Sequence, residues 1–277
     1  MKLIDGRALA EKVKDEITIE IFKSLQAGGA RPSLAIVLVG DRPDSKIYVS
    51  LKEKEAKKLG VDTHRYELAE NASEEELLDT INFLNNDKNV DAILVQLPLP
   101  EQMNVDKVMA ALNPLKDADG FLDNHPDYVI SPVLAAVKLM LDDTKIEPKK
   151  LSAGALYNSE VFGTAITKLL QDYGFNKIVG ITGRDGEAVK KLSSSVDVLI
   201  TAIGVPLFIK DNMIKDNAVI IDIGITKVGE KVYGDVDFDS VKDKVSYITP
   251  VPGGVGPLTI ACLFKNVLSI YKNKKTA

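Results

Sequence analysis

A chain of 277 residues has room for one large or two ordinary domains, and 45% hydrophobic with 27% charged residues is the balance of a globular protein that can bury a sizeable core. A net charge of −5 and an isoelectric point near 5.3 argue against a general nucleic-acid binder. The single cysteine, Cys262, excludes an internal disulfide and a cysteine-based metal cluster, and two histidines, His64 and His125, make a poor metal site.

The opening MKLIDGRALAEKV is charged and amphipathic, without the apolar core of a signal peptide. No apolar run approaches the roughly 18 residues of a membrane span, so the expectation is a cytoplasmic protein with no membrane partner. Leu9, Val13, Ile17, Ile21 and Leu25 recur at helical spacing and Gly28-Gly29 closes the pattern, which predicts a helix from Gly6 to Gln26. Leu34 to Gly40 is short and apolar throughout, as a strand covered on both faces should be. Ser45 to Gly60 is rich in helix formers, with Asp44 or Ser45 to cap its start and Gly60 to end it. His64 to Leu68 reads as a second strand, and Ser73 to Glu76 as a capping box opening a helix that reaches about Asn85. Asp91 to Leu97 is a third buried strand, stopped by Pro98 and Pro100.

From Asn113 to Pro132 periodicity fades into an aperiodic loop and domain junction, followed by a helix from Val133 to Asp142. The second half repeats the rhythm. Ala153 to Tyr157, Lys177 to Thr182, Val196 to Ala202, Ala218 to Ile223 and Val245 to Ile248 read as strands. Phe162 to Tyr173 and Leu258 to Tyr271 read as helices, and Asp239 to Lys244 as a turn. Alternating strand and helix implies an α/β fold with parallel sheets.

Four stretches invite a chemical reading. Tyr48 and Lys52 lie four apart and share a helix face, where a ring beside an amine suits a flat, anionic, nitrogen-rich substrate; with Lys54, Lys57 and Lys58 following, the same face also reads as plain solvated surface. Gln96, in Val95-Gln96-Leu97-Pro98, sits at the C-terminal end of a buried strand, the edge at which parallel sheets bind ligands, or else it holds the turn backbone. Lys116 to Phe121 (KDADGF) is a turn or a loop that delivers a carboxylate. Ile248 to Thr259 (ITPVPGGVGPLT) packs three prolines and three glycines between a strand and a helix, which suits close backbone approach to a ligand better than a linker.

Taken in order, IDGRALAEKV, Tyr48-x-x-x-Lys52, VQLPLP, KDADGF, AIGVP from Ala202, IDIGI from Ile221, GDV from Gly234 and ITPVPGGVGPLT resemble the bifunctional methylenetetrahydrofolate dehydrogenase/methenyltetrahydrofolate cyclohydrolase family over nearly the whole chain. The resemblance implies two α/β domains with a cleft between them. A folate-binding catalytic domain would span 1–130, completed by a helix at 256–277, and a Rossmann-like dinucleotide domain would span 131–255. It implies Lys52 as the catalytic lysine, Gln96 as its tuning partner, Asp119 as the pterin-holding aspartate and Tyr48 as the stacking ring. Val95, Leu97, Pro98, Gly253, Gly254 and Pro257 would line the folate pocket. NADP or NAD would lie against Tyr157, Ser159, Gly163, Arg184, Ala202, Gly204 and Ile225. It implies tetrahydrofolate substrates, a place in purine biosynthesis, no metal and a homodimer formed through the second domain.

The departures fall in the cofactor half. Where the family carries Gly-x-Ser-x-x-x-Gly, this chain has Tyr157-Asn158-Ser159-Glu160-Val161-Phe162-Gly163, so a ring replaces the close-approach glycine and Glu160 opposes phosphate. The family's Pro-Cys-Thr-Pro-x-Gly run becomes Pro132-Val133-Leu134-Ala135-Ala136-Val137, after a shortened loop. After the next strand the chain reads Gly183-Arg184-Asp185-Gly186-Glu187, with a guanidinium for a 2′-phosphate and two acids against it. Three alternatives therefore stand beside the bifunctional enzyme: a loop remodelled to bind the dinucleotide in another pose, a cyclohydrolase with weak or lost hydride transfer, and a non-catalytic folate-binding paralogue.

Overall fold

The computed structural model describes residues 1–122, 128–183 and 185–276, so His125 and Arg184 lie outside the described residues. Contacts divide the chain into two compact units, one of Glu11–Pro132 with Ile260–Ala277 and one of Met1–Ala10 with Val133–Thr259.

In chain order the elements of the first half are β1 (Lys2–Leu3), α1 (Gly6–Gln26), β2 (Ser33–Val39), α2 (Pro43–Leu59), β3 (Asp62–Leu68), α3 (Glu74–Asn86), β4 (Ala92–Val95) and α4 (Val105–Ala110). The Glu11–Pro132 unit is built on a parallel sheet ordered β3-β2-β4. All seven residues of β2 are buried, the signature of a central strand covered on both faces. Its core joins Val37, Ile93 and Val95 of the sheet to Leu77, Ile81 and Leu84 of α3. The helix α3 starts where the capping box places it, with Glu76 N–H donating to Ser73 Oγ at 3.1 Å.

The second half continues with α5 (Pro132–Thr144), β5 (Ser152–Tyr157), α6 (Glu160–Tyr173), β6 (Lys177–Thr182), α7 (Gly186–Ser193), β7 (Val198–Ala202), β8 (Val219–Asp222), β9 (Thr226–Val228), β10 (Lys231–Tyr233), α8 (Phe238–Val241), β11 (Tyr247–Ile248) and α9 (Val255–Thr276). Its sheet has the parallel order β1-β11-β8-β7-β5-β6, and β9 and β10 form a separate hairpin. Leu156, Leu199, Ile220 and Ile248 pack with Val189 and Leu192 of α7.

The first residues, assigned from sequence to the catalytic domain, pair as β1 with β11, Lys2 opposite Tyr247 and Leu3 opposite Ile248. A two-residue strand carries no periodicity, so only the long-range pairing reveals it. The predicted turn at 239–244 holds the short helix α8, and α4, α7 and the β9–β10 hairpin are additional to the predicted elements.

Tyr157 closes β5, with Thr182 and Ala202 as its register partners on the flanking strands. Its ring turns inward, 8% exposed, into space that two glycines leave open. A Cβ on Gly163 of α6 would stand 2.2 Å from a ring carbon, and one on Gly180 of β6 would stand 3.0 Å away. Gly163→Ala is therefore expected to lower stability by about 1–3 kcal/mol through overpacking. In a Tyr157→Ala background the same change is expected to be neutral, or to stabilise by up to about 1 kcal/mol from helix propensity. Denaturant unfolding of the four proteins of this cycle checks the coupling.

Candidate active site

Lys52 is delivered by α2. Pro43 stands at the first position of that helix, Asp44 adds negative charge to the first turn, and Gly60 closes it in the left-handed conformation at φ 80°. Ser45, Val49, Ala56 and Leu59 form the buried face. Lys52 is half-buried on the flank of that stripe, and Tyr48, one turn earlier, is 43% exposed.

Gln96 follows β4, and its N–H donates to Val37 O at 2.8 Å, fixing the backbone at the sheet edge. Its side chain is used at both ends. Lys52 Nζ donates to Gln96 Oε1 at 2.9 Å, while Gln96 Nε2 donates to Leu97 O at 2.6 Å. The second bond determines which end of the amide faces the lysine. The glutamine holds the turn backbone, one of its two sequence readings, and thereby aims its carbonyl at Lys52. Val95 is buried, Leu97 part-buried and Pro98 exposed, with a cis bond between Leu97 and Pro98.

Asp119 comes from the loop beyond β4. That loop is attached to the strand, since Ile93 N–H donates to Lys116 O at 2.7 Å and Ala118 N–H donates to Ile93 O at 3.1 Å. The buried carboxylate of Asp117 gathers the amides of Asp119 and Gly120 at 3.1 Å each and of Leu122 at 3.0 Å. Asn266 of α9 donates from Nδ2 to Ala118 O and Ile130 O, both at 2.9 Å. Asp117 and Asn266 were not singled out from sequence. Asp117 lies inside a quoted motif, but no local signal links Asn266 to a loop so far away in the chain.

Electrostatics sets the two ionisable groups against their ordinary behaviour. Burial lowers the pKa of the Lys52 amine, and the Asp119 charge offsets only part of that. Burial pushes the Asp119 carboxyl up to about 6, against the pull of Lys52 and with a further push from Asp117. Both groups are thus drawn toward the neutral range in which proton transfer is efficient.

The remaining predicted residues belong to the Met1–Ala10 and Val133–Thr259 unit. At the C-terminal edge of its sheet stand Tyr157 ending β5, Ala202 ending β7, Gly204 in the next loop and Ile225 beyond β8. The loops touch where Asn158 Nδ2 donates to Ile203 O at 3.5 Å. Ser159 holds the N-cap position of α6 without a side-chain cap bond, so the first amides of that helix are not claimed by their own cap. Gly253 and Gly254 lie in the loop after β11, and Pro257 in the first turn of α9. The space beside Gly254 is taken by protein, because a Cβ on Gly6 would stand 1.9 Å from Gly254 O. The buried pair Asp222 and Asp235 in this unit lies inside the motifs IDIGI and GDV, without a role assigned from sequence. Burial and the neighbouring Asp235 charge push Asp222 up to about 7. His64 is exposed on β3, and Cys262 is buried on α9. No helix among the described residues is long and apolar enough to cross a membrane.

The raised pKa of Asp119 has a stability consequence of definite sign. The folded chain keeps this proton to about pH 6, whereas an unfolded aspartate releases it near 3.8. The folded state therefore binds more protons across that window, and this group's contribution to stability falls as pH rises from 3.8 to 6. Asp119→Asn, which cannot ionise, is expected to gain stability relative to wild type between pH 4 and pH 7, as read by unfolding at both values.

Two family models match the chain: "Tetrahydrofolate dehydrogenase/cyclohydrolase, catalytic domain" over residues 4–119 and "Tetrahydrofolate dehydrogenase/cyclohydrolase, NAD(P)-binding domain" over residues 132–275. The bifunctional protein FolD of Geotalea daltonii is 41% identical over 285 residues, covering 99% of both chains. That of Sulfurihydrogenibium is 39% identical over 286 residues, again covering 99% of both. The crystal structure of the bifunctional FolD enzyme of Campylobacter jejuni superposes with a TM-score of 0.90 at 34% identity, covering 99% of each chain. That of the Trypanosoma brucei enzyme, complexed with NADP cofactor and inhibitor, gives 0.92 at 31% identity, covering 99% of this chain and 98% of the other. With both models matched in order and relatives aligned end to end, this chain belongs to the tetrahydrofolate dehydrogenase/cyclohydrolase family.

Proposed function

We propose that Lys52 handles the protons of a methylenetetrahydrofolate dehydrogenase/methenyltetrahydrofolate cyclohydrolase, an enzyme of one-carbon folate metabolism. The observation that carries this reading is the 2.9 Å bond from the Lys52 amine to an amide oxygen. A carboxylate partner would hold the lysine charged. Gln96 gives it an acceptor with no net charge, so burial can lower its pKa and the amine can both take up and return a proton.

In the hydrolytic step water attacks the cationic methenyl carbon. Neutral Lys52 accepts the proton that this water loses, and as an ammonium it returns one to the nitrogen released when the ring opens, while the hydroxyl of the adduct gives its own proton to solvent as the formyl C=O of 10-formyltetrahydrofolate forms. Asp119, in a loop held by Asp117 and Asn266, accepts hydrogen bonds from the donors of the pterin edge. Tyr48 offers an exposed ring one turn from the amine for stacking, and Val95, Leu97 and Pro98 supply apolar contact beside Gln96. Gly253, Gly254 and Pro257 are assigned to folate as well.

The residues at the edge of the six-stranded sheet fit a dinucleotide. The uncapped first turn of α6 presents amides at the end of a parallel strand, which is favourable for phosphate. The Tyr157 ring is packed between Gly163 and Gly180 rather than standing over that turn, which favours retained binding. Ser159, Gly163, Ala202, Gly204 and Ile225 would hold NADP there, the cofactor with which the Trypanosoma brucei relative is complexed. When bound, the nicotinamide accepts the hydride released by the methylene carbon. The family resemblance further supports domain limits near residue 130 and residue 255, a homodimer through the second domain and a cytoplasmic location.

Lys52→Met is expected to reduce methenyltetrahydrofolate hydrolysis by about 10²–10⁴-fold, the usual range for loss of a positioned acid–base group. Folate binding should persist by calorimetry, and unaltered hydrolysis would remove Lys52 from the mechanism. The same titration with NADP, then NAD, should give saturable binding of micromolar or tighter affinity. No binding beside active hydrolysis would leave a cyclohydrolase without a working dinucleotide site.

A further inference from the structure

Asp222 and Asp235 are 3% and 0% exposed, and the chemistry above uses neither. Asp222 Oδ1 accepts from Gly224 N–H at 2.9 Å and Asp235 N–H at 3.1 Å, and its Oδ2 accepts from Val236 N–H at 2.9 Å. Asp235 Oδ2 accepts from Thr201 Oγ1 at 2.9 Å and Ile203 N–H at 2.8 Å, and its Oδ1 accepts from Val205 N–H at 2.9 Å. At the opposite end Asp222 N–H donates to Thr249 Oγ1 at 2.8 Å. The spacing tolerates no side chain. A Cβ on Gly224 would lie 2.4 Å from the Asp235 carboxyl carbon, and one on Gly234 would lie 2.1 Å from Asp222 Oδ2.

Among the described residues every hydrogen bond to these two carboxylates comes from an amide or a hydroxyl. Burying two acids close enough to repel one another, held by amides and hydroxyls among the described residues, is costly. The bonds run in series. They start at Thr249, one residue past β11, pass through the backbone and carboxylate of Asp222 to the amide of Asp235, and end through its carboxylate on the segment 201–205. Three adjacent strands, β11, β8 and β7, are tied together at their C-terminal ends. Thr249 opens the loop that carries Gly253 and Gly254, and segment 201–205 carries Ala202 and Gly204.

We propose that Asp222 and Asp235 are positioning residues that lock the loop after β7 to the loop after β11, so that the cofactor-side and folate-side backbone of this sheet edge keep one fixed geometry. The proposal rests on the reading above that these two loops face the cofactor and the folate. Neither aspartate touches a reacting atom. Each acts through amides whose direction it sets.

The test uses the full chain with Asp235→Asn and Asp222→Asn, each of which swaps one accepting oxygen for a donor. Backbone amide exchange is followed residue by residue, and KM and kcat are measured for NADP and methylenetetrahydrofolate. Asp235→Asn should speed exchange at Ile203 or Val205 about tenfold and raise both KM values about tenfold, the scale of one lost charge-assisted hydrogen bond, with a smaller change in kcat. Asp222→Asn should speed exchange at Gly224 or Val236 and also at Ile203 and Val205, which it does not touch. Exchange that changes only at amides losing their own acceptor, or a rise confined to the NADP KM, would overturn the proposal. Thr201→Val and Thr249→Val remove one hydroxyl at either end and carry the same readouts where an aspartate variant does not fold. If wild type fails to bind NADP, the cofactor reading falls. Exchange at Ile203 and Val205 in Asp222→Asn then decides the lock by itself, faster exchange upholding it and unchanged exchange overturning it.

Discussion

An ammonium group taken out of water must find a partner, and the choice of partner decides what the lysine can do. Here the partner is an amide oxygen, Gln96 Oε1, held in place because the other end of the same amide is engaged by Leu97 O. The rest of the Glu11–Pro132 unit makes that meeting possible. The buried strands β2 and β4 carry Gln96 to the sheet edge, α2 brings Lys52 to it, and the Asp117–Asn266 scaffold brings Asp119 close enough for its charge to be felt. Removing the bond between Gln96 and Leu97 would free the amide to turn over and present a donor to a donor.

The same logic of constraint appears in the other unit. A ring at the end of β5, where the family resemblance implies a glycine, is packed beneath α6, because Gly163 and Gly180 make room for it. Exchanging a small residue for a large one at one position is tolerated where the large residue's neighbours are small, since packing responds to local volume rather than to any single residue. Family membership then fits a chain whose cofactor half departs from the usual pattern in sequence while keeping the parallel sheet.

Much of this architecture was legible in the residues. The helix α1 and the strand β6 run from Gly6 to Gln26 and from Lys177 to Thr182, where periodicity and β-rich composition place them. The core strands β2, β4 and β8 are short apolar runs and were found to within a few residues. The elements that escaped are short: β1, α4, α7, and the β9–β10 hairpin with its two-residue turn at Gly229 and Glu230, while α8 was read as a turn. Too few side chains repeat in them for a period to emerge. At the site, Lys52, Gln96 and Asp119 were legible through ordered motifs. Asn266, Asp222 and Asp235 were not assigned roles, because what they do depends on partners distant in sequence, such as the bond from Asn266 to Ala118 or from Thr201 to Asp235.

The pairing of β1 with β11 bears on how the chain can be cut and how it is made. Residues 2–3 seal one edge of the six-stranded sheet against a strand near the other end of the chain. A fragment beginning at the second sequence domain would keep β11 but leave its outer edge unpaired, open to strand addition by a neighbouring molecule. During synthesis β1 emerges long before β11, so this sheet is completed only after the residues up to Ile248 are available. The fold is therefore divisible by contacts but not by scissors: its two compact units cannot be recovered by a single cut in the chain.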